Sequence, residues 1–199
     1  MNIIDFFKPR FNIIAGVNGT GKSSLRGVIV DYVELGIIVD PDLIAKENGT
    51  KEKRLSDVEA GKIAIKRIDD CLCSFSTFTR ETTLSGHRIV KELRQAKEAG
   101  FNVSMFYVGL ETVEDSLERI ANRVKKGDHD IPEDVVRRRY DKRFEDFMKC
   151  VPFCDEIIFY DNDNGFKRIA IYDREFGFRY TNGERPEWIK PIETALKQL

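Results

Sequence analysis

The residues most clearly suited to chemistry lie in a glycine-rich segment that ends in a lysine and a serine. Gly16, Gly21, Lys22 and Ser23 match the P-loop, the phosphate-binding loop of many nucleotide-binding proteins. Glycine permits tight turns that aim backbone N–H groups at phosphate oxygens, the lysine reaches the β- and γ-phosphates, and the serine ligates Mg²⁺. We therefore predict that a nucleoside triphosphate and Mg²⁺ contact the following residues: Gly16, Asn18, Gly19, Thr20, Gly21, Lys22, Ser23 and Ser24.

The P-loop does not by itself say what is done with the nucleotide. The sequence has no Asn-Lys-x-Asp motif for guanine, which argues against a GTPase, and 199 residues are few for an ATP-driven machine. Small-molecule kinases are the main class that remains. We predict an ATP- and Mg²⁺-dependent kinase that transfers phosphate to an alcohol group, with Lys22 as a catalytic residue and Ser23 as the metal ligand.

Two carboxylates, Asp40 and Asp42, follow the apolar residues 36–39, which are predicted to form a strand. Ligands of α/β proteins bind at the carboxyl ends of the strands, so both side chains would face the phosphate site. A kinase needs a carboxylate to accept or orient the proton of the acceptor hydroxyl. Asp42 suits this base, and Asp40 is the alternative and a candidate for substrate binding. Asp-Pro-Asp is equally good turn chemistry, and the two interpretations remain open.

A polar cluster at residues 79–86 follows another predicted strand. Glu81 would bind Mg²⁺ through water or hold an acceptor hydroxyl, and Thr82 and Thr83 would hydrogen-bond the substrate. Alternatively, Thr83 or Ser85 would cap the next helix by accepting hydrogen bonds from its free N–H groups. Both interpretations can hold for different residues of the cluster.

Residues 119–143 contain nine Lys or Arg and five Asp or Glu, with a polar stretch at 126–132 in the middle. This pattern predicts two helices joined by a mobile loop, which together would form a lid over the phosphates. Arg119 and Arg123 lie four residues apart on one helix face. Arg123 would stabilise charge on the transferred group, and Arg119 would bind the nucleotide. For most of the other basic residues, a solvated helix face is the better interpretation.

The composition narrows the class of protein and its partners. The chain has 33 Lys and Arg against 34 Asp and Glu, a net charge of −1, which argues against a dedicated nucleic-acid binder. Its apolar runs are too short to span a membrane, and its N-terminus lacks the features of a secretory signal, so we expect a cytoplasmic protein. The spacing of Cys71, Cys73, Cys150 and Cys154 is not typical of zinc sites and favours reduced, mostly buried thiols.

The elements that must position these residues alternate along the chain, which predicts a parallel sheet covered by helices on both faces. Apolar runs rich in Ile, Val, Phe and Tyr predict strands at 11–15, 36–39, 73–78, 103–108 and 156–160. Amphipathic patterns predict helices at 22–34, 57–70, 87–99, 112–126 and 133–150. Residues 166–173 and 177–181 predict a hairpin, and a final helix is expected from about residue 186. The longest irregular stretch is expected at 41–53.

With these segments in order, the chain resembles the zeta toxin family of P-loop kinases over roughly residues 10–173. The matching segments are 16–23, 40–42, 78–86, 119–124 and 127–132, with further similarity at 133–140 and 160–162. The fold expected is a single domain of the three-layer P-loop NTPase type, spanning residues 1–199. It would have a mostly parallel five-stranded sheet, a lid at about 119–143, and a C-terminal hairpin and helix at about 166–199.

The resemblance implies that ATP phosphorylates a hydroxyl of a sugar nucleotide, UDP-N-acetylglucosamine. Carried over by position, Asp42 would be the base, Glu81 and Thr82 would contact the acceptor, and Arg123 would act on the phosphates. His129 falls where toxin members place a second arginine and would be a weaker clamp on the nucleotide. Two alternatives stay open: a nucleotide-gated, toxin-like binding module held by an antidote protein, and a polynucleotide or tRNA kinase.

Overall fold

A computed structural model describes residues 8–49, 54–127 and 130–199, and all elements named below belong to that part of the chain. Seven strands form one sheet in the order β2-β3-β1-β4-β5-β6-β7. The strands are β1 (Arg10–Ala15), β2 (Ile37–Val39), β3 (Phe78–Thr82), β4 (Asn102–Gly109), β5 (Glu156–Asp161), β6 (Lys167–Asp173) and β7 (Gly177–Tyr180). The helices are α1 (Lys22–Ile29), α2 (Pro41–Glu47), α3 (Asp57–Cys73), α4 (Arg88–Glu98), α5 (Val113–Val124), α6 (Glu133–Cys150) and α7 (Lys190–Leu196).

The first five strands run parallel, and the last two run antiparallel to their neighbours. The predicted α/β class is therefore confirmed. The predicted five-stranded sheet with a separate hairpin is wrong, because β6 pairs directly with β5 and makes one mixed sheet of seven described strands. The reason is physical: β5 would otherwise present unpaired N–H and C=O groups at the edge, and β6 satisfies them while burying Ile169 and Ala170.

Helices pack on both faces of the sheet, because strand side chains alternate between the faces. On one face, Ile13 and its neighbours join a large core with α3, α4, α6 and α7. On the other face, Ile14 and Phe106 pack against Leu25 and Ile29 of α1. The central strand β1 thus fixes α1, and with it the loop between β1 and α1, at the carboxyl edge of the sheet.

Two predicted boundaries near the functional cluster differ from the structure. The third strand, expected at 73–78, spans Phe78–Thr82, because α3 continues to Cys73 and the chain then turns through Phe75 with a φ of 54°. The stretch expected to be irregular at 41–53 contains α2, while its residues 50–53 lie outside the described part of the chain. Asp40 caps α2 and Pro41 occupies its first turn, which are both favourable helix starts.

The expected C-terminal helix is shorter than predicted. A single 3-10 turn (Glu187–Ile189) precedes α7, and the side chain of Trp188 is buried against the end of β4. Of the four cysteines, three are buried and Cys73 is exposed. Within the residues that the structure describes, no helix is both long and apolar enough to cross a membrane.

Candidate active site

The glycine-rich loop between β1 and α1 has a backbone shape that only glycine fits at three positions. Gly16, Gly19 and Gly21 have φ values of 146°, 78° and 92°. A Cβ atom on Gly16 would lie 2.5 Å from the carbonyl oxygen of Val108, and one on Gly21 would lie 2.6 Å from Nδ2 of Asn162. The loop is therefore folded tightly against the ends of β4 and β5, and its curled backbone has the conformation expected of an anion cradle.

Lys22 begins α1 and folds back over this loop. Its Nζ donates hydrogen bonds to the carbonyl oxygens of Gly16 at 2.9 Å and Val17 at 3.0 Å. Burial lowers the pKa of Lys22 from 10.5 to about 8, and the nearby carboxylates of Glu81 and Asp42 oppose the shift. At neutral pH the side chain therefore keeps a positive charge that an incoming phosphate would stabilise.

Glu81, near the end of β3, is the centre of a charged cluster beside the loop. One of its carboxylate oxygens accepts a hydrogen bond from Oγ of Ser23 at 2.8 Å, and the other accepts one from Nη1 of Arg26 at 2.8 Å. The same Arg26 nitrogen lies 3.6 Å from a carboxylate oxygen of Asp40. Burial and the charge of Asp40 raise the pKa of Glu81, while Ser23, Arg26 and Lys22 oppose that shift.

The donor set of this cluster fits Mg²⁺. In the described part of the chain, no group of three or more His, Cys, Asp or Glu residues is arranged to hold a metal ion. Mg²⁺ in nucleotide sites does not need such a group, since it is usually held by one or two protein oxygens, substrate phosphates and water. The adjacent oxygens of Ser23 and Glu81 supply hard ligands of this kind.

The structure separates the two aspartates that the sequence left as alternatives. Asp40 is buried, and its Oδ1 accepts a hydrogen bond from the backbone N–H of Asp42 at 2.9 Å, which caps α2. The side chain of Asp42 is 55% exposed and lies at the cavity surface, 3.9 Å from Arg54. Asp40 therefore caps the start of α2, in agreement with the turn interpretation, and Asp42 is the more exposed of the two carboxylates that line the cavity.

Two cavities meet at these residues. We call the first the P-loop cavity; it has a volume of about 340 Å³ and is lined by the P-loop, α1, α2 and α5. We call the second the β3 cavity; it has a volume of about 560 Å³ and is lined by the end of β3, the start of α2 and the first half of α6. Among the residues that the structure describes, five line both cavities: Asn18, Lys22, Asp40, Asp42 and Glu81. Charged groups thus stand on the boundary between two ligand-sized spaces.

Among the basic residues at 119–143, Arg119 and Arg123 do line the P-loop cavity. Nη2 of Arg119 also donates a hydrogen bond to the carbonyl oxygen of Asn162 at 2.6 Å, so it ties α5 to the segment after β5. Arg137 forms ion pairs at the protein surface, as expected of a solvated helix face. His129, proposed above as a nucleotide contact, lies outside the described residues.

The polar residues after β3 line the β3 cavity. Thr82, Thr83 and Ser85 all contribute to its wall. The hydroxyls of Thr83 and Ser85 lie 2.8 Å apart, and the N-cap of α4 is His87, without a side-chain hydrogen bond. The alternative in which Thr83 or Ser85 caps α4 is therefore wrong. Between them, Leu84 is buried with a φ of 62°, a strained backbone of the kind found at ligand sites.

Not every predicted P-loop contact faces the cavity. Thr20 is buried, and its Oγ1 donates a hydrogen bond to the carbonyl oxygen of Val17 at 3.0 Å, so its side chain stabilises the loop from inside. Ser24 is exposed and lines the P-loop cavity, as do Asn18, Gly19, Gly21 and Ser23.

Four arginines that line the two cavities in the described part of the chain are not predicted as site residues from the sequence: Arg26, Arg80, Arg138 and Arg139. Arg26 lies three residues after Ser23 on α1, a spacing that places both on one helix face and gave a usable signal. Arg139 lies on α6, and its Nη1 donates a hydrogen bond to Oδ1 of Asn18 at 2.8 Å. Arg139 and Asn18 lie 121 residues apart in the sequence, so the sequence does not indicate this contact.

Comparison with known sequences finds no matching protein-family model. An uncharacterized protein of Haemophilus influenzae is 42% identical to this chain over 125 residues, which cover 63% of this chain and 88% of that protein.

Solved structures share the fold at low identity. A chain from the crystal structure of AvrRxo1-ORF1:-ORF2 with ATP superposes with a TM-score of 0.66 at 19% identity; the match covers 94% of this chain and 64% of that one. A chain of the PezAT chromosomal toxin-antitoxin system of Streptococcus pneumoniae gives 0.64 at 15% identity, covering 96% and 86%. A chain of the Pnkp1/Rnl/Hen1 RNA repair complex gives 0.51 at 17%, covering 72% and 45%. These similarities concern the fold.

Proposed function

We propose that this chain, which belongs to the same family as the uncharacterized Haemophilus influenzae protein, is a kinase that transfers the γ-phosphate of ATP to a hydroxyl group of a small molecule. The observation that carries the proposal is the position of Lys22, Asp42 and Glu81 on the boundary that the P-loop cavity and the β3 cavity share. A group transferred between ligands in the two cavities would pass these side chains.

In this proposal ATP occupies the P-loop cavity. The backbone N–H groups of the loop and the N-terminus of α1 would bind the phosphates, with Lys22 exchanging its carbonyl partners for phosphate oxygens. Ser23 and Glu81 would hold Mg²⁺, which neutralises charge on the phosphates when bound. Arg123 and Arg119 line the same cavity from α5 and would place positive charge against the transferred group.

The acceptor would occupy the β3 cavity, with its hydroxyl directed at Asp42. Because Asp40 is committed to the cap of α2, Asp42 is the carboxylate that would orient the hydroxyl and accept its proton. Thr82, Thr83 and Ser85 supply hydroxyl groups along the wall of the cavity for recognition of a polar acceptor.

The acceptor class that we propose is a sugar nucleotide such as UDP-N-acetylglucosamine. The support is the resemblance to the zeta toxin family together with a polar β3 cavity of about 560 Å³, which is in the size range of small-molecule sites. The experiment is a screen of ADP formation from ATP and Mg²⁺ with sugar nucleotides, free sugars and nucleosides. One acceptor should raise ADP formation in the wild type and not in Asp42→Asn. ADP formation that no acceptor stimulates would contradict the proposal.

A toxin-like binding module held by an antidote protein is the second candidate. It is favoured by the fold that this chain shares with a chain of the PezAT toxin-antitoxin system. The two candidates differ in what Asp42 does. If expression of the chain impairs growth, Asp42→Asn should relieve the effect of a kinase and leave that of a nucleotide-gated binding module intact.

A polynucleotide kinase is the third candidate. A groove of about 480 Å³ runs outward from the β3 cavity between the start of α4 and α6. Among the described residues, four Lys or Arg and two acids line it: Arg138, Arg139, Lys142, Lys149, Glu145 and Asp146. RNA or DNA binding whose affinity falls steeply with salt concentration would support this candidate, and absence of such binding would remove it.

A further inference from the structure

Beneath the β3 cavity lies an ion-pair network that the mechanism above does not use. Arg80 precedes Glu81 on β3, so its side chain points to the opposite face of the sheet and reaches α4. There it forms an ion pair with Glu92, whose side chain is completely buried. Nε of Arg88 donates a hydrogen bond to the same carboxylate at 2.8 Å.

Around the buried carboxylate of Glu92, this network has two cations for one anion. The guanidinium groups of Arg80 and Arg88 share that carboxylate, and Asp69, whose carboxylate lies 3.7 Å from Arg88, is exposed to solvent. The side chain of Arg80 is 15% exposed, and it opens on the β3 cavity. Burial and the charge of Arg88 lower the pKa of Arg80 to about 10, so it remains a cation at neutral pH.

Stability alone does not explain a buried arginine at this position. Packing of β3 against α4 would be served as well or better by apolar side chains, because burying an ion pair costs desolvation energy that its attraction repays only in part. A cation fixed in place by a buried carboxylate is, in contrast, well suited to bind an anion, since its orientation is set before the ligand arrives.

Further positive charge faces Arg80 across the cavity. Arg138 and Arg139 of α6 line the same space, and both continue into the groove between α4 and α6. Arg139 is held at its inner end by the side chain of Asn18. The acids that line the outer wall, Asp57 and Asp130, are exposed to solvent, where their field is screened.

We propose that Arg80 binds a phosphate group carried by the acceptor, and that Glu92 positions Arg80 for this task. The inference rests on the proposed function, because it assumes that the β3 cavity is the acceptor site. It adds where a phosphate of such an acceptor docks, namely at Arg80 in the wall of the β3 cavity, so that the hydroxyl is left near Asp42.

The test uses inorganic phosphate as the probe, titrated into the protein after a non-hydrolysable ATP analogue and Mg²⁺ have filled the P-loop cavity. Binding is followed by the line width of the phosphorus resonance. The wild type should bind, and Arg80→Gln should weaken binding by about tenfold or more, the size expected for loss of a charge-assisted contact. Arg88→Gln is the matched control, because Arg88 pairs with the same carboxylate but does not line the cavity. It should bind phosphate like the wild type.

Glu92 requires a test that separates positioning from folding. Glu92→Gln should weaken phosphate binding while the affinity for the ATP analogue stays unchanged. In the Arg80→Gln background the same change should weaken phosphate binding no further, because the effect of Glu92 passes through Arg80. If Glu92→Gln weakens phosphate binding by its full amount in the Arg80→Gln background as well, the positioning role of Glu92 is overturned. If Glu92→Gln does not fold, Arg80→Gln alone tests the binding site.

The outcomes distinguish this proposal from the proposed function. Phosphate binding that is absent from the wild type or equally strong in Arg80→Gln, with the ATP analogue bound, would overturn the role of Arg80 alone. Equal loss in Arg88→Gln would do the same, because it would assign the effect to the network as a structural unit. Succinate that binds as well as phosphate would overturn the assignment to phosphate. A wild type that does not bind the ATP analogue would instead contradict the proposed function.

Discussion

Asp40 and Asp42 lie two residues apart and have opposite environments. Asp40 is buried and caps α2, whereas Asp42 is half exposed at the boundary of both cavities. In the proposed kinase the first residue serves structure and the second serves proton transfer. Substitution of each should therefore affect a different measurement.

Asp42→Asn should lower the rate of phosphate transfer by about 10²–10⁴, the usual effect of losing a general base, and leave the free energy of unfolding unchanged. Asp40→Ala should lower the free energy of unfolding by about 0.5–2 kcal/mol, since the N-cap of α2 loses its acceptor. Steady-state kinetics of both variants measure the rate of phosphate transfer, and denaturant unfolding of both measures the free energy of unfolding. The reverse pattern would show that the base is assigned to the wrong aspartate.

The pKa of Lys22 gives the site a pH dependence. With the pKa lowered to about 8 by burial, the empty site loses the lysine charge as the pH rises above 8. Bound phosphates would hold the proton, so ATP affinity should fall by up to about tenfold per pH unit above 8. In the unfolded chain the pKa of Lys22 is 10.5, so the unfolded chain binds more protons than the folded protein between about pH 8 and pH 10.5. The free energy of unfolding should therefore rise with pH across that window.

Calorimetric titration with an ATP analogue between pH 7 and 10 measures the predicted loss of affinity. Lys22→Arg is the control, because its charge persists over this range and its affinity should be nearly independent of pH. A wild type with constant affinity over the same range would contradict the role of Lys22 in phosphate binding.

Much of the site could be predicted because it is local in sequence. The P-loop glycines, Lys22 and Ser23 lie within eight consecutive residues, and their chemistry follows from their spacing. Arg80 and Arg139 could not be placed in the same way. The contact of Arg80 depends on how α4 packs on the sheet, and the contact of Arg139 depends on how α6 packs near the P-loop. Neither packing can be predicted from a short segment of sequence.

At the scale of elements, the sequence predicts apolar strands better than strands that carry function. β1 and β4 are nearly continuous apolar runs and lie within one residue of their expected bounds. β3 has the sequence Phe-Thr-Arg-Glu-Thr, and its buried Thr79 and Glu81 are stabilised by hydrogen bonds rather than by apolar packing. The apolar residues of the turn before β3 therefore predict a strand more strongly than β3 itself does. α2 is not predicted from the sequence, because its start has the residues of a turn.

Two glycines outside the site, one before a strand and one inside a helix, should respond oppositely to substitution by alanine. Gly36 precedes β2 with a φ of 59°, and a Cβ atom there would lie 2.0 Å from the carbonyl oxygen of Thr77. Gly36→Ala should therefore lower the free energy of unfolding by about 2 kcal/mol or more. Gly61 lies inside α3 with no atom within 4 Å of its Cβ position, so Gly61→Ala should raise it by about 0.5–1 kcal/mol.

Denaturant unfolding of the two alanine variants measures both changes. The two variants serve as controls for each other, because both substitutions add one methyl group but should change the free energy of unfolding in opposite directions. A Gly36→Ala variant as stable as the wild type would show that the chain before β2 is not held in this conformation.

At the scale of the whole molecule, the C-terminal segment, residues 187–196, packs against the carboxyl ends of β4 and β5. Nε1 of Trp188 donates a hydrogen bond to Oδ1 of Asp161 at 2.9 Å, and its ring lies against Gly109, where a Cβ atom would come within 2.2 Å of it. The carboxylate of Glu111 accepts hydrogen bonds from the backbone N–H groups of Glu187 and Trp188. These contacts join the ends of β4 and β5 to the last elements of the chain.

The segment should therefore unfold together with the rest of the protein. Trp188 is the only tryptophan in the sequence, so its fluorescence reports this contact alone. In urea, the fluorescence transition and the loss of helix measured by circular dichroism should have the same midpoint. Trp188→Ala should lower the free energy of unfolding by about 3–5 kcal/mol, measured by circular dichroism. A fluorescence transition at lower urea would contradict a single cooperative unit.

The central claim is phosphate transfer across the boundary between the two cavities, and it is tested most directly with ATP labelled in the γ-phosphate. The protein, labelled ATP and Mg²⁺ are incubated with a pool of sugar nucleotides and other small metabolites, and the labelled products are separated. The account predicts that the wild type places the label on one organic acceptor, and that Asp42→Asn and Lys22→Ala do not. Label found only in inorganic phosphate, or remaining in ATP with every acceptor, would contradict it.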